Sequence, residues 1–178
     1  MNERQFFDWQ TLGGGNDVQA LVDVLNKAGA AWCMIGGLAV NHWAVEPIAT
    51  ADVDIVISAI DVERCVKALE RVGFASERFG WSINLKESSK VSVQISTDDF
   101  YKSFPETAVS VQVHGITMRF ASAENTLRGK LAAYSDPERR GSKRQKYFLD
   151  ILRLVESHKD LMVEIPEEIK AKVIEALK

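Results

Sequence analysis

Two aspartates, Asp52 and Asp54, open an apolar run of the sequence with one residue between them. Side chains two positions apart on a β-strand point to the same face, so these carboxylates would share one patch. Two carboxylates that close repel each other unless a cation lies between them, and Asp oxygens suit Mg²⁺. A pair on a solvated strand or in a capping turn is the alternative, but the apolar residues 55–57 favour a buried strand. The spacing therefore predicts a Mg²⁺ (or Mn²⁺) site.

Two adjacent glycines, Gly36 and Gly37, precede the aspartate pair and follow another apolar run. A glycine has no Cβ, so its backbone can approach a bulky anion closely, and the N–H groups that start the next helix point at that anion. The glycines could also form only a strand-to-helix turn. Phosphate at the glycines and a metal ion on the aspartates would together suit phosphoryl or nucleotidyl transfer.

The glycines and aspartates together resemble the signature of the minimal nucleotidyltransferase superfamily, which is Gly-Gly or Gly-Ser, a helix, and Asp-x-Asp on a strand. The segments Gly-Gly-Leu-Ala at 36–39 and Thr-Ala-Asp-Val-Asp-Ile at 50–55 look like its bacterial branch of toxin and resistance-type proteins. Three later segments are similar to the helical tail of that branch: Glu-Asn-Thr-Leu-Arg-Gly-Lys-Leu-Ala-Ala at 124–133, Arg-Arg at 139–140 and Lys-Tyr-Phe-Leu-Asp-Ile at 146–151. The resemblance covers about residues 30–155.

The resemblance implies a Mg²⁺-dependent enzyme that moves a nucleoside monophosphate from an NTP to an acceptor hydroxyl and releases pyrophosphate. Asp52 and Asp54 would be its catalytic metal ligands. Gly36 and Gly37 would cradle the β- and γ-phosphates, and Lys130 would offset triphosphate charge, although a lone helix lysine is ordinarily an exposed one. The acceptor could be an RNA end, a protein side chain or a small molecule. The resemblance to a toxin–antitoxin-like branch also allows a partner protein.

A basic run lies in the predicted tail, at Arg139, Arg140, Lys143, Arg144 and Lys146. Such runs are usually solvated faces. This one could instead neutralise a triphosphate or an acceptor phosphate, as Arg and Lys clamps do in phosphoryl transfer. Lys146 and Asp150 lie four residues apart on a predicted helix, where a modest salt bridge is the simplest expectation.

The sequence departs from the superfamily pattern at the third carboxylate, which should lie on a later strand and help to deprotonate the attacking hydroxyl. The strand in the right place, 90–97, carries Ser92, Gln94 and Ser96 on its polar face. The nearest acids flank that strand: Glu87, Asp98 and Asp99. Loss of a general base costs about 10²–10⁴-fold in rate. The alternative function is therefore a catalytically impaired module of the same fold that binds a nucleotide or a partner.

Composition narrows the class of protein. The 178 residues carry a net charge of −3, so no global basic field favours nucleic acid. Cys33 and Cys65 lie far apart without metal-ligand spacing, and we expect buried, reduced thiols. The sequence contains no apolar run long enough for a bilayer and no secretory signal at its start, so a soluble cytoplasmic protein without a membrane partner is expected.

Periodicity and capping residues predict an α/β architecture: a mixed sheet flanked by helices, then a helical tail. We expect one domain over 1–178, with an α/β core at about 16–120 and a tail at about 121–178. The predicted helices span 3–10, 38–44, 61–72, 122–134 and 139–157. Two more are predicted: one is capped by Asn16 or Asp17 and ended by Gly29, and the other begins at Pro166. The predicted strands are 31–35, 52–58, 76–86, 90–97 and 108–120, the last split near Gly115.

Overall fold

The computed structural model describes residues 3–86, 91–113 and 115–178 of the chain. Within them the helices are α1 (Glu3–Gln10), α2 (Gly15–Lys27), α3 (Gly36–Trp43), α4 (Val62–Arg71), α5 (Ala123–Ser135), α6 (Gly141–Ser157) and α7 (Glu167–Ala176). The strands are β1 (Trp32–Ile35), β2 (Asp52–Ile57), β3 (Ala75–Arg78), β4 (Ser82–Lys86), β5 (Ser92–Ser96), β6 (Val109–Val113) and β7 (Ile116–Phe120). Short 3₁₀ segments lie at Asp99–Tyr101, Phe104–Thr107 and Lys159–Glu164.

The strands form one sheet in the order β3-β4-β5-β2-β1-β7-β6. Strand β2 lies antiparallel to β1 and parallel to β5, and β1 lies parallel to β7. The hairpins β3–β4 and β6–β7 and the pair β4–β5 are antiparallel. The predicted fold class, a mixed sheet flanked by helices with a helical tail, is confirmed.

The two faces of the sheet are covered by different elements. Under α2 and α4 the strands contribute alternate apolar side chains to the main core, among them Val53, Ile55, Val93 and Ile95. On the other face, Cys33 and Val56 pack with Phe104 of the second 3₁₀ segment. Alternation along β2 and β5 therefore leaves their remaining side chains on this second face.

The tail packs on α3 through a second apolar cluster. Leu127 of α5 and Ile151 and Leu154 of α6 join Val40 of α3 in that cluster. Ser122 caps α5 as predicted, since its Oγ accepts a hydrogen bond from the Asn125 N–H at 3.2 Å. The tail is thereby fixed beside the glycine-containing start of α3.

Several element boundaries differ from the prediction, and three of them have a clear local cause. The run 76–86 is a hairpin of β3 and β4 rather than one strand, because the chain turns at Gly80 and the Phe79 N–H donates to the Ser82 carbonyl at 2.8 Å. Helix α2 begins at Gly15, not after Asn16 or Asp17, and the Gly15 N–H donates to the Asp8 carboxylate at 3.3 Å. Helix α3 begins at Gly36 itself, so no separate turn precedes it.

Both cysteines are free and buried, in agreement with the expectation of reduced thiols. Burial raises the pKa of the Cys33 thiol to about 12. None of the helices in the described residues has the length and apolar character needed to cross a membrane.

Candidate functional site

The paired carboxylates lie at the start of β2, beside the polar face of β5. In the parallel β2–β5 ladder, Asp52 is opposite Ser92 and Asp54 is opposite Gln94. Asp52, Asp54, Ser92, Gln94 and Ser96 all line one cleft with a volume of about 360 Å³. The structure therefore places the two aspartates on one face, as their spacing predicts, and places neutral side chains where the neighbouring strand would supply a third acid.

Gly36 lies directly against the Asp54 carboxylate. Its φ of +68° is in the left-handed region, and a Cβ built on it would be 2.2 Å from Oδ2 of Asp54. A Cβ on Gly37 would instead meet the side chain of Thr50 at 3.4 Å, an ordinary contact. Gly36 lines the cleft, and Gly37 faces the residue that leads into β2. The strict need for glycine is therefore at the first of the two positions.

Asp54 is the electrostatically unusual carboxylate of the site. Burial, which penalises the charged form, raises the pKa of Asp54 to about 6. The charge of Lys130 pulls this pKa down and that of Asp52 pushes it up. Asp52 itself is exposed at the edge of the cleft. A cation beside Asp54 would stabilise the charged carboxylate that burial disfavours.

The helical tail supplies the cations of the cleft. Lys130 of α5, Lys143 of α6 and Arg139, which precedes α6, are the Lys and Arg side chains among its described lining residues. Arg139 is held by Asp136 at 3.2 Å and by the Tyr147 hydroxyl at 3.1 Å. Two members of the predicted basic run, Arg139 and Lys143, thus line the cleft rather than forming only a solvated face.

Lys130 is buried, which overturns the reading of an exposed helix lysine. Its Nζ lies 2.7 Å from Oδ2 of Asp150, and the side chains are 8% and 5% exposed. Asp150 also pairs with Arg153 at 3.0 Å. The prediction of a salt bridge between Lys146 and Asp150 is therefore wrong, because Asp150 turns inward to Lys130 and Arg153.

The same ion-pair cluster reaches the loop that precedes the aspartates. Arg153 Nη2 donates to the Asn41 side-chain oxygen at 2.9 Å and to the Glu46 carbonyl. Asn41 also exchanges two hydrogen bonds with the backbone of Ile48, at 2.7 and 2.9 Å. The tail, α3 and the loop before β2 are thereby joined by one polar network.

Sequence reasoning missed several residues of the cleft. Tyr101 and Phe104 reach it from the 3₁₀ segments after β5, where no periodic pattern marked an element. Asn125 and Tyr147 reach it from the tail, and both fall within segments that carry the family resemblance. Asn125 is buried and its Nδ2 donates to the Thr107 hydroxyl at 2.9 Å. For these two residues the resemblance was the available signal.

The donor set of the cleft fits a hard divalent cation. Carboxylate oxygens of Asp52 and Asp54 lie beside hydroxyl and amide oxygens of β5, and Mg²⁺ is commonly held by one or two carboxylates plus substrate phosphates. No cluster of three His, Cys, Asp or Glu side chains suited to a metal occurs in the described part of the chain. Asp98 caps a 3₁₀ turn by accepting from the Phe100 N–H at 2.9 Å. Glu87 lies outside the described residues.

No family model matches the sequence, and no curated protein matches it. Solved structures do match. The antibiotic-resistance factor ANT(2″)-Ia in complex with adenylyl-2″-tobramycin has a TM-score of 0.62 and 12% identity, over 92% of this chain and 98% of that one. The lincosamide antibiotic adenylyltransferase LnuA, bound to lincomycin, has a TM-score of 0.56 and 15% identity, over 78% of this chain and 94% of that one.

A third match is an antigenic nucleotidyltransferase-like protein from Paracoccidioides brasiliensis. Its TM-score is 0.54 with 22% identity, over 79% of this chain and 74% of that one. At sequence identities this low, structural similarity shows the fold alone. The chain has a nucleotidyltransferase-like fold, as the resemblance in sequence implied.

Proposed function

We propose that this protein binds an NTP together with Mg²⁺ or Mn²⁺ in the cleft and transfers a nucleoside monophosphate to an acceptor hydroxyl. The observation that carries the proposal is the charge arrangement of one cleft. Two carboxylates, Asp52 and Asp54, lie on the strand side, and three cations of the tail region line the same space. Phosphoryl transfer is catalysed mainly by positioning and by charge stabilisation, and such an arrangement can supply both.

Each group has a distinct part in this proposal. Asp52 and Asp54 hold the metal ion, which when bound neutralises phosphate charge and lowers the pKa of a coordinated hydroxyl. Gly36 and Gly37 present backbone N–H groups of α3 to the phosphates. Lys130, Lys143 and Arg139 offset the remaining triphosphate charge. Asp150 holds Lys130 in the wall of the cleft.

The transfer balances as a single displacement. The acceptor oxygen forms a bond to the α-phosphorus, the bond between that phosphorus and the bridging oxygen breaks, and pyrophosphate leaves with the electron pair. The hydroxyl proton passes to solvent water, because the side chain beside Asp54 is the amide of Gln94, which is not a base at neutral pH. We therefore expect slow transfer.

Gln94 also supports a second candidate, a module that binds nucleotide or a partner protein without turnover. Loss of a general base costs about 10²–10⁴-fold, which can bring an enzyme below useful rates. The neighbouring structures favour the enzyme, because one is an antibiotic adenylyltransferase and another is a complex with adenylyl-2″-tobramycin. They also support ATP as the donor and a small molecule as the acceptor.

Two measurements test the proposal. ATP with Mg²⁺ should raise the melting temperature, because a ligand at 100 times its Kd stabilises the native state by about 2.7 kcal/mol. Asp54→Asn should fold and lose that response. Transfer is then followed as labelled nucleotide incorporated into an acceptor or as pyrophosphate release. Equal stabilisation of wild type and Asp54→Asn would overturn the metal site; stabilisation without transfer would favour the binding module.

The phosphate contacts are tested separately by comparison of ATP with adenosine. Gly37→Val adds a branched side chain that would press on Thr50 and displace the start of α3, whose N–H groups we propose to meet the phosphates, and Lys130→Ala removes a cation. Both variants should weaken binding of ATP more than binding of adenosine, because only ATP carries the phosphates. Unchanged ATP affinity in both variants would show that the phosphates bind on another surface.

A further inference from the structure

We infer that the acceptor of the proposed transfer is a neutral, hydroxyl-rich molecule that binds on the polar face of β5 and β4; this inference rests on the proposed function. Charged and neutral side chains line different parts of the cleft. Its described cationic lining residues come from the tail region, whereas the β5 wall consists of Ser92, Gln94 and Ser96. The tail packs on α3, which follows β1, and β1 and β5 flank β2 on opposite sides.

The neutral wall continues beyond β5. Asn84 of β4 is directly opposite Gln94, and Ser82 is directly opposite Ser96. Directly opposite residues of an antiparallel pair share a face, so Asn84 extends the polar row that begins at Asp54. Ser82, which is buried, lies beside Ser96 in the next row on the same face. The alternate residues of these strands are core, among them Leu85 and Ile95. The row is thus on the face of the sheet that does not pack on α2 and α4.

The next charges along this row compensate each other. Glu77 of β3 is opposite Asn84, and its carboxylate lies 2.9 Å from Nζ of Lys86. The surface between Asp54 and that ion pair therefore offers amides and hydroxyls without net charge. It is half-buried at Asn84 and exposed at Gln94.

This chemistry selects among acceptor classes. Amide and hydroxyl groups both donate and accept, so they match the hydroxyls of a sugar-like molecule. A polycationic acceptor would need carboxylates on this wall, and a polyanionic one would need Lys or Arg there. The cations of the cleft belong to the tail region, where the triphosphate would engage them. The neutral polyol is the class that this wall complements.

The experiment uses full-length protein first loaded with Mg²⁺ and a non-hydrolysable ATP analogue. Failure to load, seen as an unchanged melting temperature, would be a failure of the proposed function itself and would remove the basis of this inference. The loaded protein is then titrated separately with probes of three classes: maltose and methyl ribofuranoside as neutral polyols, tobramycin as a polycation, and a short single-stranded RNA as a polyanion. Binding is followed by NMR shifts of the Gln94 and Asn84 side-chain amides.

We expect a neutral probe to move both amide signals. Asn84→Ala should weaken its binding about tenfold, the equivalent of about 1.4 kcal/mol for a lost hydrogen bond, and leave analogue binding unchanged. Gln112→Ala is the matched control, because Gln112 is an exposed amide of β6 at the opposite edge of the sheet. Asn84→Asp should weaken the neutral probe and strengthen tobramycin binding. Preferential binding of tobramycin or RNA by wild type, no shift with any probe, or equal effects of the two alanine variants would overturn the inference.

Discussion

Gly36 and Asp54 fit against each other so closely that a Cβ on Gly36 would lie 2.2 Å from Oδ2 of the carboxylate. The contact follows from the register, because Ile35 is opposite Asp54 in the antiparallel β1–β2 pair and Gly36 is the next residue. The φ of +68° at Gly36 is a second, independent requirement for glycine. The backbone that starts α3 is therefore held at the carboxylate that we propose as a metal ligand.

Gly36→Ala should lower the free energy of unfolding by more than the positive φ of Gly36 alone explains. Gly29 is the matched control, since it has a φ of +63° and open space around its Cβ position. Gly29→Ala should lower the free energy of unfolding by about 1–2 kcal/mol from backbone strain. Gly36→Ala should lower this free energy by a larger amount and should also weaken ATP–Mg²⁺ binding. Urea denaturation measures the difference, and equal losses in the two variants would contradict the steric contact.

The stability of the metal-free protein should depend on pH through Asp54. Burial raises its pKa from 3.8 to about 6, so the folded state holds the proton more tightly than the unfolded state does. This contribution is complete below about pH 4 and is lost as pH rises through 6, a total of about 3 kcal/mol. The free energy of unfolding of Asp54→Asn should not fall in this way between pH 4 and pH 7.5. Urea unfolding of both proteins from pH 4 to 7.5 in chelator gives the difference, and parallel curves would refute the shifted pKa.

Asp150→Asn should be more destabilising than Lys130→Met. The first change leaves two buried cations, Lys130 and Arg153, without their carboxylate, and breaking a buried pair in this way costs about 3–5 kcal/mol. The second change leaves Asp150 paired with Arg153 and replaces the lysine stem with an apolar one of similar length. The free energy of unfolding in urea distinguishes them. A Lys130→Met loss as large as that of Asp150→Asn would show that Arg153 does not stabilise the carboxylate.

Gln94→Asp should increase nucleotide transfer if the vacant third-acid position is opposite Asp54. Ser92→Asp places a carboxylate opposite Asp52 instead, about 6.6 Å away along the strand, so at most one of the variants should gain. We expect a gain of about 10²-fold or more in that variant, measured as pyrophosphate release. Gln94→Asn, which changes length without adding a base, is the control. Rapid wild-type transfer with no gain in either acid variant would show that two carboxylates suffice.

Local sequence patterns predicted much of the fold. A continuous apolar run predicted β1, apolar patterns predicted the strands beside it, and the hydroxyl of Ser122 marked the start of α5. The run 76–86 was misread because a single Gly80 inside a strand-like sequence does not reveal a hairpin on its own. The start of α2 was misplaced because its N-cap is Gly14, which has no capping side chain, and the Gly15 N–H is bound instead by Asp8 of the preceding helix.

The sequence by itself determined that Asp52 and Asp54 share a face, because the two-residue period of a strand is a property of the backbone. It also placed a glycine where the chain passes from β1 into α3. Only the tertiary structure decided that Gln94 lies opposite Asp54 and that Asp150 pairs with Lys130. Strand register and burial depend on how distant segments pack, and no local spacing records which residue a neighbouring strand or helix brings to the same point.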